Sequence, residues 1–176
     1  MIYKKSPILG LKIIYPKTCF KDSRGTYLET FNKKYYQKFI KKNFIEDDFS
    51  LNKKGVFKGI HGDNKTWKLI SCVYGKCKAI IVNFDKKSNK FGKWEKFNLS
   101  SKNYFQVLIP PSHGNSFLVL SDYAVYHYKQ TKYYGGQGKQ FTINIKDPYF
   151  KIKLSHKKKL IISERDKKAE FYNEKS

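Results

Sequence analysis

Three short stretches of this sequence carry side chains that move protons or hold negative charge. The first is Lys58-Gly59-Ile60-His61-Gly62-Asp63-Asn64-Lys65-Thr66-Trp67-Lys68-Leu69-Ile70-Ser71, with His61, Asp63 and Lys68 inside eight positions. Histidine is the side chain best suited to proton transfer near neutral pH. A lysine a few residues away can stabilise negative charge as it develops. The second stretch holds His113 in Pro110-Pro111-Ser112-His113-Gly114-Asn115-Ser116, and the third is His127-Tyr128-Lys129. If these segments are strands of one barrel, all three clusters can face one cavity.

Each residue also has a plainer reading. His61 follows an alternating strand and precedes a Gly-Asp turn, a place less often core than the middle of an apolar run. His113 is flanked by proline and glycine, so it is either a tightly specified site residue or a surface-turn histidine. Strand alternation puts Tyr126 and Tyr128 on one face and His127 on the other, so Tyr128 is either core or site. Lys68 sits in a strand otherwise apolar from Trp67 to Val73. It points outward, or it points inward at a cost that only an anion would offset. A metal site would want closely paired histidines with a carboxylate. The sequence has no His-x-His, and His61, His113, His127 and His156 are widely spread; no metal is expected. There is no Walker loop, dinucleotide glycine fingerprint or Gly-x-Ser-x-Gly elbow.

The elements that must position these residues read mostly as strands. Residues 8–16 open the chain as a strand, Phe20 to Gly25 form a turn, and Thr26 to Phe31 alternate as a second strand. Tyr36, Phe39 and Ile40 recur at helical spacing between Asn32 and Lys42, with Asn32 as a plausible cap. Phe44 to Asn52 returns to strand. From Val56 the strands follow at short intervals: 56–60, 67–74, 77–84, 93–99, 105–109, 116–121, 124–130, 140–145, with a further one at 150–154. Gly55, Gly62, Gly75, Pro110-Pro111, the Gly135–Gly138 run and Asp147-Pro148 separate them. This is the pattern of an antiparallel sandwich or barrel. The charged last twenty residues read as a short helix or a loose tail. With no repeat and no linker, residues 1–176 form a single domain in this reading.

Composition sets the outer bounds. The 176 residues suffice for one core. Lys+Arg exceed Asp+Glu by 37 to 14, a net charge of +23. Such a charge fits nucleic acid or an acidic membrane, but equally a small anionic substrate or a simple lysine bias. The lysines are scattered in pairs and triples, and Arg24 and Arg165 are the only arginines. That scatter favours the last two readings, so neither nucleic acid nor membrane is the expected partner. Cys19, Cys72 and Cys77 lack metal-type spacing, and the latter two sit in apolar strands as buried free thiols. No apolar run resembles a signal peptide or approaches the ~20 residues of a membrane span. A reducing, cytoplasmic setting is expected.

Eight motifs, in order from about residue 20 to 166, resemble the nucleotide-sugar 3,5-epimerases, with dTDP-4-dehydrorhamnose 3,5-epimerase as the type member. They are Phe20-x-Asp22-x-Arg24-Gly25-x-x-x-Glu29-x-Phe31; Gly55-Val56-Phe57-Lys58-Gly59-Ile60-His61; Lys68-Leu69-Ile70; Phe91-Gly92-x-Trp94 with Leu99-Ser100 and Asn103; Ile109-Pro110-Pro111-x-His113-Gly114 with Phe117-x-Val119-Leu120-Ser121; Tyr128-Lys129-x-Thr131-x-Tyr133-Tyr134; Asp147-Pro148; and Ser163-Glu164-Arg165-Asp166. The resemblance implies an all-β, cupin-type jelly-roll barrel with a few short helices, using neither metal nor cofactor. It implies a homodimer whose N-terminal strand crosses to the partner, and a nucleotide-diphosphate 4-keto sugar as substrate. By resemblance His61 is the base, Asp166 its orienting partner, Lys68 the stabiliser of the enolate oxygen and Tyr128 the acid on the opposite face. His113 helps shape or polarise the site. Arg24 and Lys58 contact the diphosphate, Phe20 and Glu29 lie near the nucleotide, and Tyr134 belongs to the substrate-binding set.

Several positions depart from the type member. Lys58 stands where the family has arginine, which keeps charge but loses the bidentate fork. The family's Gln-x-Asn strand reads Glu46-Asp47-Asp48, and Asn83 replaces an aspartate. These features look more like the branch that epimerises GDP-linked 4-keto heptoses for bacterial capsules. Two other readings stay open at this point: epimerisation at C3 alone, and a basic sugar- or nucleic-acid-binding barrel without catalysis.

Overall fold

The computed structural model describes residues 2–154 and 159–173, so His156 lies outside the described residues. The strands are β1 (Ile2–Lys5), β2 (Lys12–Tyr15), β3 (Cys19–Asp22), β4 (Gly25–Leu28), β5 (Glu46–Lys53), β6 (Phe57–Gly62) and β7 (Lys68–Tyr74). There follow β8 (Lys76–Asn83), β9 (Trp94–Ser100), β10 (Gln106–Ile109), β11 (His113–Val119), β12 (Tyr123–Gln130) and β13 (Phe141–Ile143). Two four-residue helices, α1 (Lys33–Tyr36) and α2 (Glu164–Lys167), and one 3-10 turn at Gln137–Lys139 complete the described elements.

Apart from the two-stranded β3–β4 sheet, the described strands form two antiparallel sheets packed face to face. One runs β1-β2-β10-β7-β12-β5, the other β13-β6-β11-β8-β9. The period-two patterning put the right residues between them. Ile70, Cys72, Val107, Ile109 and Tyr126 from the first sheet pack on Ala79, Ile81, Phe97, Leu99, Phe117 and Val119 from the second. The Phe117 and Tyr126 rings stack with centroids 4.0 Å apart. The buried Tyr126 hydroxyl donates to Asn115 Oδ1 at 2.9 Å, which removes the cost of an unpaired polar group. This is the jelly-roll architecture, β-rich with short helices.

Both outer faces are partly covered. The second sheet's outer residues Phe57, Ile60, Ile80, Val82 and Leu118 meet the segment after β13, through Ile145, Phe150, Ile162 and Tyr172. The first sheet's Ile14, Leu69 and Leu108 meet Tyr36 and Ile40 around α1. The chain closes on itself where Ile161 forms a parallel bridge with Val56, just before β6. That bridge returns the C-terminal segment to the strand bearing His61.

Several boundaries differ from the sequence reading. The strand expected over 8–16 is confined to Lys12–Tyr15, and β1 precedes it. The helix expected over 32–42 is α-helical only over Lys33–Tyr36, capped by Asn32, whose side chain accepts from Lys34 N at 3.1 Å. Phe20 to Gly25 is not all turn; it pairs as the β3–β4 hairpin. The strand expected to begin at 116 begins at His113, and 150–154 forms no strand. The tail does hold a short helix, α2.

Candidate active site

Local sequence explains how Asp166 is held. Ser163-Glu164-Arg165-Asp166 fits a capping box, in which the first side chain caps the helix and the fourth reaches back. Ser163 Oγ accepts from Asp166 N at 3.2 Å and donates to Asp166 Oδ2 at 2.7 Å. Gly59 N also donates to Oδ2, at 3.1 Å. The other oxygen, Oδ1, lies 2.6 Å from His61 Nε2. Burial alone would raise the Asp166 pKa; the hydrogen bonds from His61, Ser163 and Gly59 outweigh it and hold the carboxyl below its ordinary value. A Cβ on Gly59 would lie 2.0 Å from Asp166 Oδ1, so glycine is what lets the carboxylate reach the strand. With Nε2–H donated to Asp166, the lone pair of the neutral ring lies on Nδ1.

His61 and Asp166 open onto a cavity of about 920 Å³, of the size that holds a drug-sized ligand. Lys58, Lys68, Asn115, Tyr128, Gln130 and Tyr134 share its wall. Lys68 resolves the choice left by the sequence: it is buried, 7% exposed, and faces this cavity. Among the described residues its ammonium makes no hydrogen bond and no ion pair. Burial pushes its pKa down, against a smaller opposing pull from Asp63. A buried, unpartnered ammonium at the edge of a cavity is costly unless an anion arrives there. Tyr128 stands on the neighbouring strand, with Ile70 of β7 opposite it on one side and Asp48 of β5 on the other. Burial first, then the charge of Asp48, raise the pKa of its phenol, so it keeps its proton at neutral pH.

The structure does not assemble every expected residue here. Of the third cluster only Tyr128 faces the cavity. His127 Nε2 lies 2.5 Å from Asp47 Oδ1, and Lys129 pairs with the same carboxylate. His113 is not in the cavity wall; its Nδ1 is 3.0 Å from the Pro111 carbonyl oxygen, and burial holds its pKa down. Asp63 serves the turn after β6, accepting from Lys65 N at 2.8 Å and Thr66 N at 2.7 Å. Phe20, Arg24 and Glu29 are also absent from the wall. Phe20 and Arg24 lie on the exposed β3–β4 hairpin, where Arg24 pairs with Asp22 at 2.6 Å. Glu29 follows the hairpin and accepts from Asn32 Nδ2 at 3.2 Å. β1, where a crossing N-terminal strand was expected, pairs with β2 of its own chain.

Among the wall residues to which the sequence reading gave no role are Asp48, Asn115, Gln130 and Arg165. Strand alternation from Tyr128 would have found Gln130, two positions on. Arg165 was quoted in a motif without a role. Its Nη2 donates to Thr142 Oγ1 at 2.9 Å, which fixes it beside Asp166.

A histidine hydrogen-bonded to a carboxylate, a buried ammonium and a protonated phenol thus share the wall of one cavity. Residues 5–174 match the dTDP-4-dehydrorhamnose 3,5-epimerase family, and the chain belongs to it. It is 37% identical over 139 residues to the dTDP-4-dehydrorhamnose 3,5-epimerase of Salmonella typhimurium, covering 76% of this chain and 75% of that one. It superposes with a TM-score of 0.90 on the dTDP-6-deoxy-D-glucose-3,5-epimerase of Legionella pneumophila in complex with dTDP-4-keto-L-rhamnose. That structure is 32% identical, and the match covers 97% and 92% of the two chains. A 3′-monoepimerase from Streptomyces bikiniensis shares the fold with a TM-score of 0.87 at 23% identity; the fold is thus common to enzymes acting at one centre and at two. The protein is an isomerase of the nucleotide-sugar epimerase class.

Proposed function

We propose that this chain inverts C3 and C5 of a nucleotide-diphosphate 4-keto sugar by stepwise proton transfer. The carbonyl at C4 acidifies the hydrogens on both neighbouring carbons. His61 removes one as a proton, and the electron pair moves to O4 as an enolate. Lys68 meets the oxyanion. Tyr128 returns a proton to the opposite face, which inverts the centre. Asp166 keeps His61 in the productive tautomer and stabilises its cationic form. The observation that carries this reading is the unpartnered Lys68 ammonium buried in the same cavity as the His61–Asp166 pair.

The relatives are named for dTDP-linked 4-keto-6-deoxy sugars, which makes such a sugar one candidate substrate. A second reading, a GDP-linked 4-keto heptose of capsule synthesis, draws on Glu46 and Asp48, where the type member has amides. Product analysis by NMR after incubation with each substrate decides between them: the substrate with the far higher kcat/KM is the physiological class. If neither turns over, the epimerase reading falls.

The diphosphate needs cations. Lys58 and Arg165 are in the wall, but Arg24 is on the β3–β4 hairpin, which among the described residues forms a two-stranded sheet of its own. We infer a dimer in which the hairpin of a second copy brings Phe20, Arg24 and Glu29 to the nucleotide. Mixing Arg24→Ala with His61→Ala protein tests this, since exchanged subunits would form one intact site. Restored activity supports the shared site; two variants that stay inactive together argue against it.

A further inference from the structure

β5 alternates between half-buried and exposed positions; the half-buried set begins with two carboxylates, Glu46 and Asp48, of which Asp48 lines the cavity. Glu46 is fully occupied. Its Oε1 accepts from Gln130 Nε2 at 2.7 Å and its Oε2 from Tyr134 N at 2.8 Å. Asp48 is not. Its Oδ2 accepts the second hydrogen of Gln130 Nε2 at 2.9 Å, and among the described residues Oδ1 accepts nothing. Both hydrogens of the Gln130 amide are thereby used, so its carbonyl oxygen is the end left over. The free carboxylate oxygen of Asp48 and the carbonyl oxygen of Gln130 are both acceptors, and Asp48 stands directly across from Tyr128 in the strand register. Directly opposed residues of an antiparallel pair have Cβ atoms about 5 Å apart.

Tyr128 is the acid in the reading above, so a group carried on C5 of the bound sugar lies within reach of Asp48. We propose that Asp48 makes the site selective for 4-keto sugars whose C5 substituent carries a hydroxyl, as in a heptose or a 6-hydroxylated hexose, over 6-deoxy sugars. A hydroxyl there donates to the free carboxylate oxygen. A methyl group strips water from that oxygen and returns nothing. This selectivity rests on the epimerase reading and on Tyr128 acting at C5.

The test uses the full chain and two 4-keto hexoses on the same nucleotide, one with CH2OH and one with CH3 at C5, run in both the dTDP and GDP series. The rate of C5 deuterium incorporation gives kcat/KM for each. The wild-type protein is expected to favour the hydroxylated sugar by about 10–100-fold, the worth of a hydrogen bond to a charged group. Asp48→Ala is expected to lose that factor on the hydroxylated sugar, so that the ratio of the two rates falls towards one. Asp48→Asn, which keeps the Gln130 contact, guards against a folding defect and should fall in between. Equal wild-type rates on both sugars, or an equal loss on both in the variants, would overturn the proposal while leaving the epimerase intact. No exchange with any sugar would remove the epimerase reading and this inference with it.

Discussion

Replacing Lys68 by methionine should make the protein more stable and nearly inactive. Methionine keeps the length and much of the volume of the lysine stem but removes the ammonium. In the folded chain that ammonium is 7% exposed and has no described hydrogen-bonding partner. Uncompensated burial of an ion costs several kcal/mol even after relaxation and water penetration; with partial exposure, a net gain of about 2 kcal/mol is expected for the variant. For a chain of this size that raises Tm by roughly 4–8 °C. The gain has a definite pH dependence. Burial lowers the Lys68 pKa. Between that lowered value and the ordinary lysine value of about 10.4, the unfolded chain holds a proton that the folded chain has released. Wild-type stability therefore rises with pH across that window, and the advantage of the variant shrinks. Activity moves the other way. A donor aimed at a developing oxyanion is worth on the order of 10²–10³ in kcat. Thermal melts at pH 7 and pH 10, with solvent-deuterium exchange on the same preparations, measure both effects. A variant that melts lower than wild type, or that retains full exchange, would refute the claim that Lys68 is a buried charge held for the substrate.

Gly59→Ala should abolish most activity without touching the substrate, because the new Cβ must displace the Asp166 carboxylate; a structure or a kcat within twofold of wild type would show that Asp166 has another way to reach His61. Tyr128→Phe should keep deuterium incorporation by His61 while losing inversion at the centre that Tyr128 protonates, which NMR of the recovered sugar reads directly. Asp166→Asn should flatten the acid limb of stability. The folded Asp166 pKa lies below the unfolded one, so wild-type stability is fully present above about pH 4 and is lost as pH falls through the folded value. Parallel acid limbs in the two proteins would count against the paired carboxylate.

The strand map was largely legible because strands that bury one face, such as β5 and β9, alternate, while β8, β10 and β11, buried on both faces, stand out as apolar runs between turn residues. The ends were less so. Residues 8–11 are as apolar as β2 but pack as a turn, with Gly10 at a φ of 75°. The Asn32–Lys42 segment has helical spacing yet is α-helical only over Lys33–Tyr36, with hydrogen-bonded turns continuing to Ile40, and its apolar residues serve mainly to cover Ile14, Leu69 and Leu108. In the site, alternation separated Tyr128 from His127, and family order identified His61, Lys68 and Asp166. The pairing of His61 with Asp166, 105 positions away, was carried by resemblance alone; no local pattern encodes a contact made through the Val56–Ile161 bridge. The solvent-facing placement of Arg24 was equally invisible. A hairpin with alternating residues reads the same whether it packs on its own barrel or stands away from it.

The central claim is that His61 takes a proton from carbon beside a ketone. Proton NMR of a nucleotide-linked 4-keto sugar in deuterated water, with wild-type and His61→Ala protein side by side, tests it most directly. The account predicts deuterium at both C3 and C5 with the wild type, and loss of both by a factor of about 10²–10⁴ in the variant. Undiminished exchange in His61→Ala would contradict it.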